Sequence, residues 1–286
     1  MMERLNLQEV KSVTGMSSED FKKDYFGPHI PVVLKDFSSE WPAMKKWTPE
    51  YFSETYGDNQ VKVYNASFGE PGEGYMGQAQ ATIPFSEYLD KVFNSGSDLR
   101  MFLYNIMSHC KELTKDVIKP ALVKGFSENF YFMFFGPRGS VTQLHYDIDM
   151  SHVFHTVFSG SKKFYLFSQE QNKLLYRHPF TVRSYVDVVT PDLEKFPMLR
   201  NAQGYEVTLH KGDTLFIPAG YWHHIVYEDA SFALSLRCRH QSILKRLQGF
   251  YNLLVMQMVD RLINRLASEK WFKWKSSRAQ ELASQA

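Results

Sequence analysis

Lys211-Gly212-Asp213-Thr214-Leu215-Phe216-Ile217-Pro218-Ala219-Gly220-Tyr221-Trp222-His223-His224 is the stretch from which this chain is best read. Lys211-Gly212-Asp213 has the chemistry of a turn, Thr214-Leu215-Phe216-Ile217 is a short apolar run of the kind buried inside a sheet, and Pro218-Ala219-Gly220 is a second turn. Trp222-His223 then opens another strand. Two turns framing a buried strand deliver a histidine to the mouth of a β-barrel.

Upstream lies a segment of matching chemistry. Tyr131-Phe132-Met133-Phe134-Phe135 reads as a strand, Gly136-Pro137-Arg138-Gly139 as a turn, and Val141-Thr142-Gln143-Leu144 as a second strand running into His145-Tyr146-Asp147. Side chains alternate faces along a strand, so His145 and Asp147 point inward together and Tyr146 is turned out. Alone, such a tripeptide is usually a chance pair on an ordinary strand. With His223 it supplies two imidazoles and one carboxylate, a set that holds Fe(II) on one face of its octahedron and leaves the other positions open. A structural zinc site would be closed by four protein ligands. His224 also offers an imidazole, but one step along a strand reverses side-chain direction, which favours His223.

These segments resemble the Jumonji-C and cupin-like (cupin-8 type) group of Fe(II)- and 2-oxoglutarate-dependent oxygenases. The resemblance rests on His145, Asp147, Gly160-Ser161-Lys162, the run from Gly212 to Pro218 and Trp222-His223. It extends to an opening made of Ile30-Pro31-Val32-Val33-Leu34-Lys35-Asp36-Phe37, Trp41-Pro42-Ala43 and Trp47-Thr48-Pro49-Glu50-Tyr51-Phe52. It implies a mainly β fold, a double-stranded β-helix of the jelly-roll or cupin type, with N-terminal α/β elements and C-terminal helices. It also implies that His145, Asp147 and His223 are the metal ligands and the catalytic centre, with Fe(II) as cofactor and 2-oxoglutarate as co-substrate. Lys162 matches the cation that meets the far carboxylate of 2-oxoglutarate, while its neighbour Lys163 faces solvent. Thr142 and Ser235 match small polar positions around the same carboxylate, and Tyr104, in the expected strand Met101-Phe102-Leu103-Tyr104, matches a tyrosine presented to it.

Two departures from the pattern stand out. Relatives commonly carry an asparagine between the carboxylate ligand and the lysine, whereas this chain has His152 and His155 there. Three strand steps set those two on opposite faces, and His155 is the one assigned to the pocket. Arg237, on the same face as Ser235, stands where relatives often have an uncharged amide. It either changes substrate preference or pairs with an acidic neighbour.

Composition agrees with this reading. A chain of 286 residues suffices for one barrel with appended helices, and 15% aromatic residues suit a large packed interior. A net charge of +2 calls for no nucleic-acid partner except as substrate. Cys110 and Cys238 are too few for a disulfide framework. With no apolar leader at Met1-Met2-Glu3-Arg4 and no run near the roughly 20 apolar residues of a membrane span, the cytoplasm is the expected compartment.

Three regions are expected: 1–60, helices and loops packed on the barrel; 61–240, the catalytic core; and 241–286, a helical region. Ser18-Glu19-Asp20 and Thr48-Pro49-Glu50 have the chemistry of helix starts. The stretch 177–203, with Pro179, Pro191 and Pro197, is expected to cross the barrel mouth. Ile243, Leu244, Leu247, Phe250, Tyr251, Leu254, Met258, Leu262 and Leu266 recur at helical steps. A helix over 243–266 would run about 36 Å and present too wide an apolar stripe for its own barrel, so a homodimer interface is expected there. Lys270-Trp271-Phe272-Lys273-Trp274-Lys275 mixes basic and aromatic residues as a segment touching an anionic membrane or RNA would, but the favoured expectation is a solvated helix end whose tryptophans pack on the partner.

The function these expectations point to is a dioxygenase that uses dioxygen and 2-oxoglutarate to hydroxylate a C–H bond of a protein side chain, a modified RNA base or a small molecule. One competing reading is a cupin protein that holds a metal or ligand without oxidising anything. Another is an N-methyl demethylase, for which the chain offers no reader module and no zinc-binding cysteine cluster.

Overall fold

The computed structural model describes residues 4–64, 81–97, 99–101, 104–119 and 121–286. Two sheets face one another. The first runs β1 (Asn6–Glu9), β10 (Gln203–Leu209), β9 (Lys162–Phe167), β12 (Trp222–Tyr227) and β7 (Val141–His145). The second runs β2 (Ser12–Val13), β3 (Val32–Leu34), β11 (Thr214–Ile217), β8 (His152–Ser159), β13 (Ser231–Cys238) and β6 (Phe126–Gly136). A separate hairpin joins β4 (Gln60–Val63) to β5 (Ala81–Pro84). Chain neighbours such as β7 and β8, or β11 and β12, lie in opposite sheets, so the strands wind between the two layers of a jelly roll. The mainly β fold read from the sequence is the fold observed.

The layers are held by side chains from both inner faces. Val153, Val157, Phe164, Leu166, Leu215, Ile217 and Ala233 form one buried cluster. A larger, aromatic cluster lies where the N-terminal helices α1 (Ser18–Phe21), α2 (Ala43–Lys46), α3 (Pro49–Tyr56) and α4 (Phe85–Phe93) cover the second sheet. Thr48 caps α3 by accepting from the Tyr51 N–H at 3.1 Å, with Pro49 at the first helical position. The cap of α1 is Ser17, one residue before the expected start. Beyond helices and loops, the N-terminal region contributes strands. β1 pairs with β10 in parallel and β3 pairs with β11, so residues before 60 complete both sheets.

The structure adds detail at three places. Tyr146 turns away from His145 and Asp147, yet it is fully buried, packed edge-on against Trp222 with ring centroids 4.9 Å apart. It belongs to a second core on the outer face of the first sheet. The stretch 177–203 closes that core, and its Arg183 bridges to the backbone of His145 beside the site. Val182, Val186, Val188 and Leu199 bury there, and Val182 and Ser184 exchange backbone hydrogen bonds with Tyr146 and Leu144. Apolar residues spaced through a proline-rich stretch account for this placement. The helical tail also packs on its own chain. α5 (Ile243–Tyr251) passes through a π-helical turn, Asn252–Met256, into α6 (Gln257–Ala283), which leaves helical geometry at Ala267. Lys275 Nζ lies 2.7 Å from Asp260 Oδ1, whereas 15 residues of straight helix would separate them by about 22 Å. The chain therefore doubles back at Ala267. The returning arm places Trp271 on Phe180 and Phe272 on His178 and Tyr185 of the same chain, and leaves Trp274 exposed.

Gly249 fixes where α5 docks. A Cβ at this position would collide with the Asp149 carbonyl, so only glycine lets the helix approach the loop that carries Asp147 and Asp149. Among the described residues no helix is long and apolar enough to cross a membrane.

Candidate metal centre

Antiparallel pairing of β7 and β12 sets His145 directly opposite His223, with ring centroids 4.2 Å apart. Asp147 follows immediately after β7. One ligand atom from each of the three lies within 4.8 Å of the others. The hydrogen bonds fix which nitrogen is available. His145 Nδ1 lies 2.8 Å from the Gln143 carbonyl and His223 Nδ1 lies 3.1 Å from the Tyr221 carbonyl. Only an N–H can bond a carbonyl, so both protons sit on Nδ1 and both Nε2 lone pairs are left for a metal.

Protonation states agree. Burial, followed by the neighbouring His223, pushes His145 down to about 3, and burial likewise lowers His223. Burial works against ionisation of Asp147, but the Arg237 guanidinium and the two imidazoles outweigh it and hold the carboxyl below its usual range. Two neutral imidazoles and an ionised carboxylate are the forms in which these groups ligate a metal.

Arg237 is the main addition to this picture. Its Nη2 meets Asp147 Oδ1 at 2.7 Å, and its Nη1 meets Asp149 Oδ1 at 2.9 Å and Ser151 Oγ at 3.0 Å. Of the two roles open to Arg237 in the sequence, the structure contains the ion pair, with two carboxylates. Asp149 and Ser151 carry no signal of this pairing in the sequence, because they lie in the turn after β7, where strand alternation no longer reports direction. Removing one partner of a largely buried pair leaves the others uncompensated. Arg237→Met is therefore expected to destabilise the metal-free protein by about 3 kcal/mol. Added Fe(II) should recover part of the loss by replacing the missing positive charge at Asp147. Thermal unfolding with and without the metal checks this, and a melting temperature equal to the parent's would remove the pair from the account.

The triad opens into a cavity of about 650 Å³ whose walls include Phe132, Phe134, Thr142, His155, Phe164, Ile217, Ile225, Tyr227 and Ser235. Thr142, His155 and Ser235 are thus brought to the same space as His145, Asp147 and His223. His155 and Ser235 face each other across β8 and β13 with Nδ1 2.8 Å from Oγ, and His155 Nε2 is buried without a partner. Lys162 stands against two of these lining residues, Phe134 and Tyr227. Its ammonium meets the Phe134 carbonyl at 3.3 Å and the face of the Tyr227 ring at 4.1 Å. The side chain is completely buried, and burial drives its proton affinity well below that of an ordinary lysine.

Tyr104 is not brought to the cavity. It pairs with Met133 on the outer side of β6 and packs on Phe85 in the aromatic core, while Phe102 and Leu103 lie outside the described residues. Tyr227 occupies the tyrosine position nearest Lys162, facing it across β9 and β12, a neighbourhood visible only once strand register is known. His224 turns to the opposite face, edge-on to Tyr165 at 5.9 Å. His152 also leaves the site and joins His29 and His240. Lys163 reaches outward to Glu206 at 2.9 Å.

A cupin-like domain matches residues 18–242, a span that contains every ligand and lining residue up to His240. The chain belongs to this family, the Jumonji-C-like group of iron and 2-oxoglutarate oxygenases. Among curated relatives, the tRNA wybutosine-synthesizing protein 5 of Gallus gallus is 27% identical over 250 residues, covering 81% of this chain and 77% of the relative. Lysine-specific demethylase 8 of Xenopus tropicalis is 30% identical over 230 residues, covering 77% and 50%. JmjC domain-containing protein D of Dictyostelium discoideum is 29% identical over 247 residues, covering 76% and 53%. The chain spans about half the length of the latter two.

The donor set fits the family's groups. Two Nε2 lone pairs and a carboxylate converge on one point and leave the cavity side open, as a three-ligand iron site requires. A buried ammonium without a carboxylate partner among the described residues, and a buried imidazole nitrogen with none, suit the far carboxylate of 2-oxoglutarate.

Proposed function

We propose that this chain is an Fe(II)- and 2-oxoglutarate-dependent hydroxylase of a C–H bond. One observation carries the reading: both triad histidines donate Nδ1–H to a backbone carbonyl, so their metal-binding nitrogens point together, beside an ionised carboxylate, at an open cavity. Bound iron would couple decarboxylation of 2-oxoglutarate, giving succinate and carbon dioxide, to insertion of one oxygen atom of dioxygen into the substrate's C–H bond. The protein's part is anchorage. Lys162 would hold the far carboxylate, Thr142, Ser235 and His155 would supply polar contacts around it, and the apolar walls would exclude water.

The test is succinate release from the iron-loaded protein given 2-oxoglutarate, together with a mass-spectrometric search of protein, RNA and metabolite fractions for species that gain one oxygen. Binding of 2-oxoglutarate with no succinate formed would instead establish a non-catalytic cupin. The demethylase names among the relatives make formaldehyde release the second readout, since hydroxylating an N-methyl group expels it. The name of the wybutosine-synthesizing relative makes a modified RNA base the substrate to try first, with protein side chains and small molecules following.

We also propose a homodimer through α5 and the first arm of α6. Leu244, Leu247, Phe250, Leu254, Met258, Leu262 and Leu266 are all exposed and recur at helical steps, a continuous apolar stripe too long to be a chance surface feature. The same stripe on a second copy is its natural complement. Leu247→Glu combined with Leu254→Glu is expected to halve the mass measured in solution by light scattering. A mass unchanged by the pair would exclude this face.

A further inference from the structure

A second group of imidazoles lies beside the cavity, and its hydrogen bonds are the reverse of the triad's. His29, held at a left-handed φ of 58°, His152 on β8 and His240 just before α5 each place one ring nitrogen within 4.8 Å of the other two. His152 and His240 stack at 4.9 Å, and His29 stands edge-on to them at 5.4 and 5.2 Å. The Ala219 N–H donates to His152 Nδ1 at 3.1 Å and the Ser242 N–H donates to His240 Nδ1 at 2.9 Å. Burial and the neighbouring rings lower His152 to about 3, and burial, His29 and the nearby cations lower His240 to about 4, so both rings are neutral. With Nδ1 accepting, the single proton of each ring sits on Nε2. An N–H donates to an acceptor and has no lone pair for a cation.

The surrounding charge points the same way. Lys245, on the first turn of α5, acts on His29 and His240 and Arg246 on His240, and among the described residues no carboxylate acts on the three rings. His240 is nine-tenths buried, yet its Nε2 has no hydrogen-bond partner among the described residues. A buried donor left empty in a positive environment is costly unless an acceptor fills it. Ring nitrogens no more than 4.8 Å apart can converge on one oxygen atom at about 2.8 Å, and His152 and His240 bring Nε2–H donors to the cluster.

We propose that His29, His152 and His240, with Lys245 and Arg246, form an oxyanion-binding subsite that takes a phosphate or carboxylate group. His240 and Arg246 line the same cavity as the metal triad, and His240 follows Arg237, the partner of Asp147, by three residues. That is about 10 Å of extended chain. The subsite therefore holds the charged group of a molecule whose reacting carbon lies deeper; this role in substrate recognition rests on the hydroxylase reading, while anion binding itself does not.

The two are separated by titrating the chelator-treated full chain with inorganic phosphate and, in a second arm, with acetate, using calorimetry. Saturable binding of one anion per chain is expected, the preferred arm showing which group the subsite takes. It should weaken about tenfold in Arg246→Gln, an exposed position where the fold is not at risk, and at least as much in His240→Gln. Absence of saturation with both anions, or affinities unchanged in both variants, overturns the proposal. So does binding of one Zn(II) per chain that His240→Gln abolishes, which would make the cluster a cation site. Because no iron is present, a failed succinate assay alongside successful anion binding would reject the hydroxylase and leave the subsite standing.

Discussion

His145→Ala and His223→Ala proteins are expected to purify folded, to carry almost no iron, and to release succinate more than about 100-fold more slowly than the parent. The magnitude follows from the ligand count. Loss of a partner that merely orients a metal ligand already costs about 10- to 100-fold, so loss of the ligand itself costs more. The control is His224→Gln. His224 is adjacent in sequence and also buried, but its ring lies on the opposite face against Tyr165, and it should leave iron content and turnover unchanged. Metal analysis and succinate measurement on the three variants decide the matter. Iron lost from His224→Gln but retained by His223→Ala would move the ligand by one residue and overturn the strand geometry on which the site is built.

The neighbouring histidines also show what a sequence can and cannot convey. Strand alternation separates His223 from His224 and His152 from His155, and the structure follows it at both places. The strands beside the site are punctuated by glycine and proline, which is why Thr214–Ile217 and Trp222–Tyr227 are legible as strands. What alternation conveys is direction relative to the strand, not what lies on the far side. Alternation turns Tyr146 away from the ligands but says nothing of its cover, which comes from 177–203 and the C-terminal helices, contacts remote in sequence. The reversal at Ala267 has no glycine or proline to announce it and depends on Asp260 meeting Trp271 and Lys275. Arg237 was legible as inward-facing, whereas its partners sit in a turn without periodicity. The tautomers that distinguish the triad from the His29, His152 and His240 cluster depend on backbone groups of distant residues and leave no trace in residue type.

Lys162→Met is expected to produce a protein that is more stable and unable to use 2-oxoglutarate, a combination that separates a binding residue from a structural one. Without ligand, the ammonium is wholly buried with, among the described residues, one carbonyl and the Tyr227 ring for company, and replacing a poorly compensated buried charge by an apolar side chain of similar length should stabilise the fold by about 2 kcal/mol. The same change removes the cation that would meet the co-substrate's far carboxylate, so affinity for 2-oxoglutarate should fall at least about 100-fold, the measure of a hydrogen-bonded ion pair lost from a desolvated site. The pH dependence has a definite sign. Burial lowers the proton affinity of Lys162 in the folded protein, so between that lowered value and the ordinary lysine value the unfolded chain holds more protons. Raising the pH through this window stabilises the parent and not the variant, and the stability gap between them should narrow toward alkaline pH. A carboxylate arriving beside the ammonium raises its lowered proton affinity again, so at a pH where the unliganded amine is partly deprotonated binding of 2-oxoglutarate to the parent should take up a proton, seen as calorimetric heats that differ between buffers of different ionisation enthalpy. Denaturant unfolding across pH, and titration of both proteins with 2-oxoglutarate, test each part. If Lys162→Met is destabilised and still binds 2-oxoglutarate, Lys162 is a packing residue of the barrel and the anchorage must be sought elsewhere.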